Sequence, residues 1–132
     1  MFLNKLKNKE KIAFLELAHS IARSDDDFSD KQKKIIATYC LEMQIDDIKY
    51  KKKKYNLDKT LSKFKKDTNK KIVLLEIMAL VYSDNILHKE EKKILDAMII
   101  KFDLNPILVD VYAEWTKSIL AITSQGQALL EL

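Results

Sequence analysis

The stretch of sequence that decides the fold lies in residues 70–83, which read KKIVLLEIMALVYS. Apolar side chains occupy nearly every position around a helix drawn through this stretch, and a helix that is apolar all round is buried. We therefore expect it to form the central helix of the core. The apolar run from Ile72 to Tyr82 is 11 residues long and contains Glu76, whereas a membrane span needs about 20 apolar residues. The sequence thus predicts a core helix and no membrane partner.

A similar pattern occurs earlier in the chain and indicates an internal repeat. Residues Lys11–Leu17, KIAFLEL, align with Lys71–Ile77, KIVLLEI, at an offset of 60. After a slip of one residue the offset becomes 59, and Lys33–Ile36 aligns with Lys92–Leu95. Each half is then an apolar helix, an acidic turn and an amphipathic helix. Because neither hairpin can bury both faces alone, we expect the two apolar helices to pack together about a pseudo-twofold axis.

Apolar periodicity predicts one all-α domain over residues 1–132, a bundle of six or seven helices. The repeat halves are expected at about 9–46 and 70–105, with a lysine-rich connector at 47–69 and a closing helix at 106–123. Within them, helices are predicted at 9–23, from Ser29 onward, at 46–54, 57–66, 70–83 and 88–102. The closing helix is expected to cover the seam and to bury one stripe: Leu108, Tyr112, Trp115, Ile119 and Ile122.

Two helix starts carry specific signals. Ser29-Asp30-Lys31-Gln32 reads as a capping box, in which the Ser29 hydroxyl accepts a free N–H of the first turn and Gln32 reaches back. Asn105-Pro106 predicts the start of the closing helix, since proline at the first helical position loses no needed hydrogen bond.

Composition excludes several classes of function. The chain has one glycine, Gly126, and one proline, so it contains no glycine-rich phosphate loop and no nucleophile elbow. Two such residues also cannot supply the turns of an all-β fold. One cysteine, Cys40, together with the lack of a signal peptide, predicts the reducing cytoplasm.

No group of residues has the pattern of a catalytic site. His19 and His88 lie in different hairpins, and neither has a Cys or His at zinc-ligand spacing. Cys40 shares the inward stripe with Ile36 and Met43, which favours a core residue over an activated thiolate. No Ser, His and Asp set is accompanied by an oxyanion turn. The sequence therefore predicts a protein that is not an enzyme.

The two turns, ARSDDDFSDKQ at residues 22–32 and YSDNILHKEE at 82–91, resemble the acidic turn of the tellurite-resistance TerB-like family. That turn has the form Asp-Gly-x-Ile/Leu-Ser/Thr-x-x-Glu and joins paired helices in an all-α domain. The resemblance covers about residues 9–105. Its matches are the leading acids Asp25 and Asp84, the apolar residues Phe28 and Leu87, the cap Ser29 and the closing acid Glu91. It implies a TerB-like bundle of two hairpins.

This chain departs from the family pattern at four positions. Asp26 and Asn85 stand where the family has glycine, Gln32 stands where it has the first closing Glu, and His88 replaces the second cap. The family gathers acidic residues that can hold a divalent cation, so the resemblance makes Asp25, Asp84 and Glu91 candidate metal ligands. Beyond a weakly bound divalent cation, no cofactor is expected.

The acidic turn has three possible roles. Carboxylates beside a helix N-terminus stabilise it by about 0.3–1 kcal/mol, oxygen ligands can bind Ca²⁺ or Mg²⁺, and an acidic surface can face a basic protein. A partner-binding face of the third kind would comprise Asp25, Asp26, Asp27, Asp30, Asp46 and Asp47.

The connector is the most basic part of the chain. Residues 49–71, which span most of the connector and the start of the next helix, hold eleven lysines and two aspartates, a net charge of +9, while the chain as a whole carries +4. Tyr50, Tyr55 and Phe64 lie among the lysines and suit stacking on bases. Against this, Arg23 is the only arginine of the chain, and arginine is favoured for phosphate and base contacts. A solvated linker is the competing interpretation; a nucleic-acid surface would use Lys51, Lys52, Lys53, Lys54 and Tyr55.

The function predicted from these features is a non-enzymatic, cytoplasmic protein-binding module. One version is a component of the stress response, resembling the tellurite-resistance proteins. The other is an immunity protein whose acidic face blocks a basic, nuclease-like toxin. Lysine-mediated nucleic-acid binding is a less favoured alternative.

Overall fold

The computed structural model describes residues 1–84 and 86–132, so Asn85, predicted in the second acidic turn, lies outside the described residues. The described chain forms six α-helices and no strand, which confirms the all-α class. The helices are α1 Asn8–Ala22, α2 Asp30–Met43, α3 Leu57–Leu61, α4 Asp67–Val81, α5 Lys89–Phe102 and α6 Ile107–Leu130. Short 3₁₀ helices occupy Leu3–Lys5 and Lys52–Lys54.

The two hairpins repeat at a constant offset of 59 residues. Helices α1 and α4 are each 15 residues long, α2 and α5 are each 14, and both starts are displaced by 59. The left-handed caps Gln44 and Asp103 keep the same offset. The offset of 60 expected in the first helix is wrong, because it pairs buried Ile72 with Ile12, which is 46% exposed, whereas 59 pairs it with fully buried Ala13. The offset of 60 pairs more identical residues in this helix, so sequence identity alone indicates a register that differs from the one in the structure.

Helices α1 and α4 lie side by side and run in the same direction. At their first turns the Asn69 amide donates to both carboxylate oxygens of Glu10 at 3.0 and 3.1 Å. Beyond their last turns, His88 Nε2 lies 3.8 Å from Asp25 Oδ2. Glu10 and Asn69 are the third residues of α1 and α4, so equivalent positions of the repeat bond to each other.

Helix α4 lies at the centre of the bundle, as its composition predicts. Its residues from Ile72 to Val81 supply much of the core, and α4 contacts α1, α2, α5 and α6. Two aromatic pairs contribute to the core. Phe14 packs edge-on against Tyr39 with ring centroids 5.0 Å apart, and Phe64 packs against Phe102 with ring centroids 6.0 Å apart. Burial of one such side chain contributes about 1.5–3 kcal/mol.

Both predicted helix starts are confirmed. The Ser29 hydroxyl accepts from the Gln32 N–H at 3.2 Å, and the Gln32 side chain accepts from the Ser29 N–H at 3.0 Å. Asn105 Oδ1 accepts from the N–H of Ile107 at 3.1 Å, at the start of α6.

The connector is less helical than expected. Of the helix predicted at 46–54, only the 3₁₀ turn Lys52–Lys54 forms, and the helix predicted at 57–66 ends at Leu61. Asp47 Oδ1 accepts from the N–H of Ile48 at 2.8 Å, a local bond that competes with a helical turn.

Helix α6 is longer and more exposed than predicted. It runs to Leu130, and every residue from 121 to 132 is exposed. Trp115 and Ile122, expected in the core, are 40% and 62% exposed. The rest of the predicted stripe lies nearer the core: Leu108 and Tyr112 pack against it and Ile119 is partly buried. The buried positions of α6 are Ala113 and Thr116. Within the described chain, no helix has the length and apolarity to cross a membrane.

The hydrogen bonds from Asn69 to Glu10 lead to a testable prediction. Replacing Asn69 by alanine leaves the buried Glu10 carboxylate without its side-chain donor, so we expect a loss of about 1–3 kcal/mol in the free energy of unfolding. Chemical denaturation measures this loss. Thr68→Ala, an exposed change in the same turn, is the control and is expected to cost less than about 0.5 kcal/mol. Equal losses in the two variants would contradict the assigned role.

Candidate functional site

The imidazole of His88 lies next to one aspartate from each of the two acidic turns. His88 Nε2 lies 2.8 Å from Asp84 Oδ2 and 3.8 Å from Asp25 Oδ2. Each turn is closed by its own aspartate, because Asp25 accepts from the N–H of Asp27 and Asp84 accepts from that of Ile86. The hydrogen bond and charge of Asp84 raise the pKa of His88. Although partial burial acts against it, the same bond holds the pKa of Asp84 below its usual value.

Glu91, the third candidate ligand, points into the protein. It is 1% exposed, and its Oε1 accepts from the N–H of His88 at 3.1 Å, which caps α5. Burial raises the pKa of Glu91 to about 7. The structure thus brings Asp25 and Asp84 together around His88 and uses Glu91 at the start of α5. In residues 1–84 and 86–132, no three His, Cys, Asp or Glu side chains are arranged to hold a metal ion.

The six predicted partner-binding aspartates differ in their surroundings. Asp25 turns towards His88, and Asp47 bonds His19 Nε2 at 2.8 Å. The other four are exposed: Asp26, Asp27, Asp30 and Asp46. Asp26 adopts a left-handed backbone with φ of 61°, which aspartate tolerates better than most residues.

The connector does not take the direct route between the hairpins. Lys11 Nζ donates to the Met43 carbonyl, so α2 ends beside the start of α1, where α4 also begins. Residues 45–56 nevertheless run along α1 as far as His19, and the chain returns through Thr60, whose hydroxyl donates to Glu16 at 2.9 Å. We call residues 45–56 the excursion. Side-chain contacts hold it against α1.

His19 is the anchor of this excursion. The imidazole is 4% exposed and bonds Asp47 on the connector. Tyr50 stacks on its ring at 5.9 Å with planes 15° apart, and Tyr55 packs against Tyr50 at 5.5 Å. Asp47 and Tyr50 thus tie the connector to α1, while its lysines at 49 and 51–54 remain exposed, as the interpretation of a solvated linker predicts.

A cleft of about 600 Å³ opens between this excursion and the end of α1. We call it the aromatic cleft; its main lining residues are Ser20, Arg23, Phe28, Tyr50, Lys52 and Tyr55. The guanidinium of Arg23 lies over the Phe28 ring at 4.5 Å and the Tyr50 ring at 5.4 Å. Asp26 also lines the cleft.

A second cleft, of about 260 Å³, shares Tyr50 and Tyr55 with the first. We call it the lysine cleft, because Lys49, Lys51 and Lys54 line it. Of the predicted nucleic-acid residues, Lys53 lines neither cleft and four line the clefts: Lys51, Lys52, Lys54 and Tyr55. Phe64, predicted to suit stacking on bases, lies in the core and is 2% exposed.

Sequence reasoning missed Ser20, Arg23 and Phe28 as site residues. Ser20 and Arg23 lie three residues apart on one face of α1, and this polar face was the available signal. Their meeting with Tyr50 depends on the stacking of Tyr50 on His19, which no spacing in the sequence reveals.

A third surface is the outer face of α6. Its exposed apolar side chains are Ile107, Val111, Trp115, Ile122 and Leu129. Successive spacings of four and seven residues place all five within one narrow arc of the helix. We call this surface the α6 stripe.

Comparisons of the chain with protein-family models, with curated proteins and with solved structures found no match. The TerB-like resemblance stays a prediction that rests on the two acidic turns. Geometry and charge therefore carry the functional proposals.

The raised pKa of Glu91 predicts a pH effect on stability. The folded protein holds this proton more tightly than the unfolded chain, so the contribution is present below pH 4.5 and is lost as the pH rises to about 7. Glu91→Gln has no carboxylate to ionise. Its stability relative to the parent is therefore expected to be greater at pH 8 than at pH 4.5 by about 1–2 kcal/mol, allowing for solvent screening.

Thermal denaturation across this pH range measures the difference. Glu90→Gln, an exposed neighbour in the same turn, is the control and is expected to show no such trend. A pH-independent difference between Glu91→Gln and the parent would contradict the burial argument.

Proposed function

We propose that this protein is a non-enzymatic, cytoplasmic protein-binding module that acts in a stress (tellurite) response or in the neutralisation of a cognate toxin. The observation that carries the proposal is the α6 stripe. Exposed apolar patches of this extent mark interaction surfaces in soluble proteins. Three of its members, Val111, Trp115 and Ile122, are 52%, 40% and 62% exposed.

The end of α6 adds a second reason for a partner. Residues 121–130 are helical yet exposed throughout. An isolated helix of about ten residues is marginally stable in water, and Gly126 within it weakens the helix further. A partner that covers Ile122 and Leu129 would stabilise this end of the helix.

The shape of the stripe favours an apolar-faced helix as the partner's binding element. The stripe follows α6 for about six helical turns, from Ile107 to Leu129, with Ser118 and Gln125 between its later members on the same arc. Helix-to-helix contacts use apolar positions at such spacings.

Two further observations support the proposal. Burial, with the nearby charges of Asp47 and Asp46, raises the pKa of Cys40 to about 11, so this thiol is in its unreactive form.

The contacts of the repeat also support a TerB-like, pseudo-twofold scaffold: the 3₁₀ helix Leu3–Lys5 contacts α2 and α4, and its counterpart α3 contacts α5 and α1.

Paired charge substitutions on α6 test the stripe. Ile122→Glu with Leu129→Glu places carboxylates within it, whereas Thr123→Glu with Gln127→Glu adds the same charge to the same exposed end on another face. We expect the first pair to weaken capture of the native partner at least about 30-fold, since central contacts are worth 2 kcal/mol or more each. The second pair is expected to bind as the parent does.

Affinity capture from the native host, quantified for both pairs, gives the result. Light scattering of the purified protein identifies the case in which the partner is a second copy. Equal capture by the two pairs would refute the stripe as the binding surface.

The immunity version rests on the exposed acids rather than on α6. If the partner is a basic toxin, Asp26→Lys with Asp27→Lys and Asp30→Lys is expected to abolish capture, while Asp110→Lys on α6 leaves it intact. A toxin reading frame next to the gene would select this version, and a tellurite-resistance cluster would select the stress-response version.

A further inference from the structure

The lysines of the excursion are concentrated and unneutralised. Five of the six residues from 49 to 54 are lysines. Lys51, Lys52, Lys53 and Lys54 are all exposed, and none of the five lies within 4.0 Å of a carboxylate among the described residues. Like charges held this close repel each other, and a polyanion that replaces their counterions relieves the repulsion.

The single arginine of the chain lies at the same place. None of the described carboxylates is within 4.0 Å of Arg23, although Asp26 lines the same cleft. The guanidinium carbon lies 4.5 Å from the centroid of the Phe28 ring, and its N–H groups donate to no side chain or carbonyl among the described residues. A guanidinium held in this way can bind a phosphate through two parallel hydrogen bonds.

Aromatic side chains form the rest of the surface. Tyr50 and Tyr55 are half-buried and separate the aromatic cleft from the lysine cleft. The Tyr55 hydroxyl has no hydrogen-bond partner among the described residues. Because His19 holds Tyr50 from behind, this surface is ordered before a ligand arrives, which lowers the entropic cost of binding.

From these contacts we infer that the excursion binds single-stranded nucleic acid. A base stacks on Tyr55, because the other two rings are already covered. His19 and Arg23 cover the Tyr50 ring, and Arg23 and Lys33 cover the Phe28 ring. Phosphates contact Arg23 and the lysines at 49 and 51–54. The shared chemistry is a nucleobase that carries a phosphate. Two clefts on either side of Tyr50 and Tyr55 favour a strand over one free nucleotide, since a single nucleotide would fill only one of them.

Fluorescence anisotropy with a labelled twelve-residue oligouridine tests the inference. With about five phosphate contacts, affinity is expected to fall about 100-fold between 50 and 200 mM salt. Tyr55→Leu keeps an apolar side chain but removes the aromatic face, and we expect it to weaken binding about 5- to 100-fold, the range for loss of one stacked base. Arg23→Ala, at the exposed end of α1, is expected to weaken binding at least 10-fold and to lower the melting temperature by no more than a few degrees, through the loss of its contacts with the two rings.

The charge control is a pair of matched double variants. Lys51→Ala with Lys52→Ala and Lys65→Ala with Lys66→Ala each remove two positive charges from the connector. Only the first pair touches the clefts. We expect the first pair to weaken binding at least 10-fold more than the second. Equal losses, or unchanged affinity in both Tyr55→Leu and Arg23→Ala, would overturn the proposal.

Competitors identify the ligand. Unlabelled oligouridine is expected to displace the probe, whereas a duplex of the same length, polyglutamate of equal charge and free uridine monophosphate are expected to compete at least 10-fold less well. Equal competition by polyglutamate or duplex overturns recognition of bases, and equal competition by the monophosphate overturns the strand. Ile122→Glu, on the α6 stripe, is expected to bind the oligonucleotide as the parent does, so this result is independent of the proposed protein partner.

Discussion

The burial of α1 against α4 is the constraint on which the rest of the structure depends. Both helices are apolar over most of their circumference, and they can exclude water only by lying side by side within the other elements. Because they run in the same direction, their polar ends coincide. Glu10 therefore needs Asn69 at one end, and Asp25 meets His88 at the other. The two ends are held by polar side chains of opposite repeats, which fixes the register of the hairpins.

Local features of this arrangement follow from the sequence, and those that depend on distant contacts do not. The cap of α2 was predictable because Ser29 and Gln32 satisfy each other within one turn. The exposure of Trp115 was not, because α6 carries two apolar stripes of the same period, and periodicity does not say which one meets α4. The clefts were beyond prediction for a similar reason. Arg23 and Tyr50 are 27 residues apart, and only the buried His19 brings them together.

The candidate metal ligands Asp25 and Asp84 also depend on a contact that their resemblance to a known turn does not predict. The predicted ligands Asp25 and Asp84 do lie at one place in the structure. Their common neighbour is an imidazole from His88, the residue that departs from the family cap. The imidazole hydrogen-bonds Asp84 and lies beside the charge of Asp25, so one side chain links the two turns.

The two halves of the repeat differ most on the face that forms the clefts. At the offset of 59, His19, Ser20 and Arg23 of α1 correspond to Met78, Ala79 and Tyr82 of α4. Helix α6 covers that face of α4, and Lys117 lies over the Tyr82 ring at 4.8 Å. On α1 the connector takes the equivalent place, and the helix carries a buried histidine whose Nδ1 has no partner among the described residues. An unsatisfied buried nitrogen costs about 1–3 kcal/mol, and methionine at position 78 shows that the scaffold accommodates an apolar side chain there. On α1, His19 instead holds the connector through its bond to Asp47 and its stacking on Tyr50, which places Tyr50 beside Arg23.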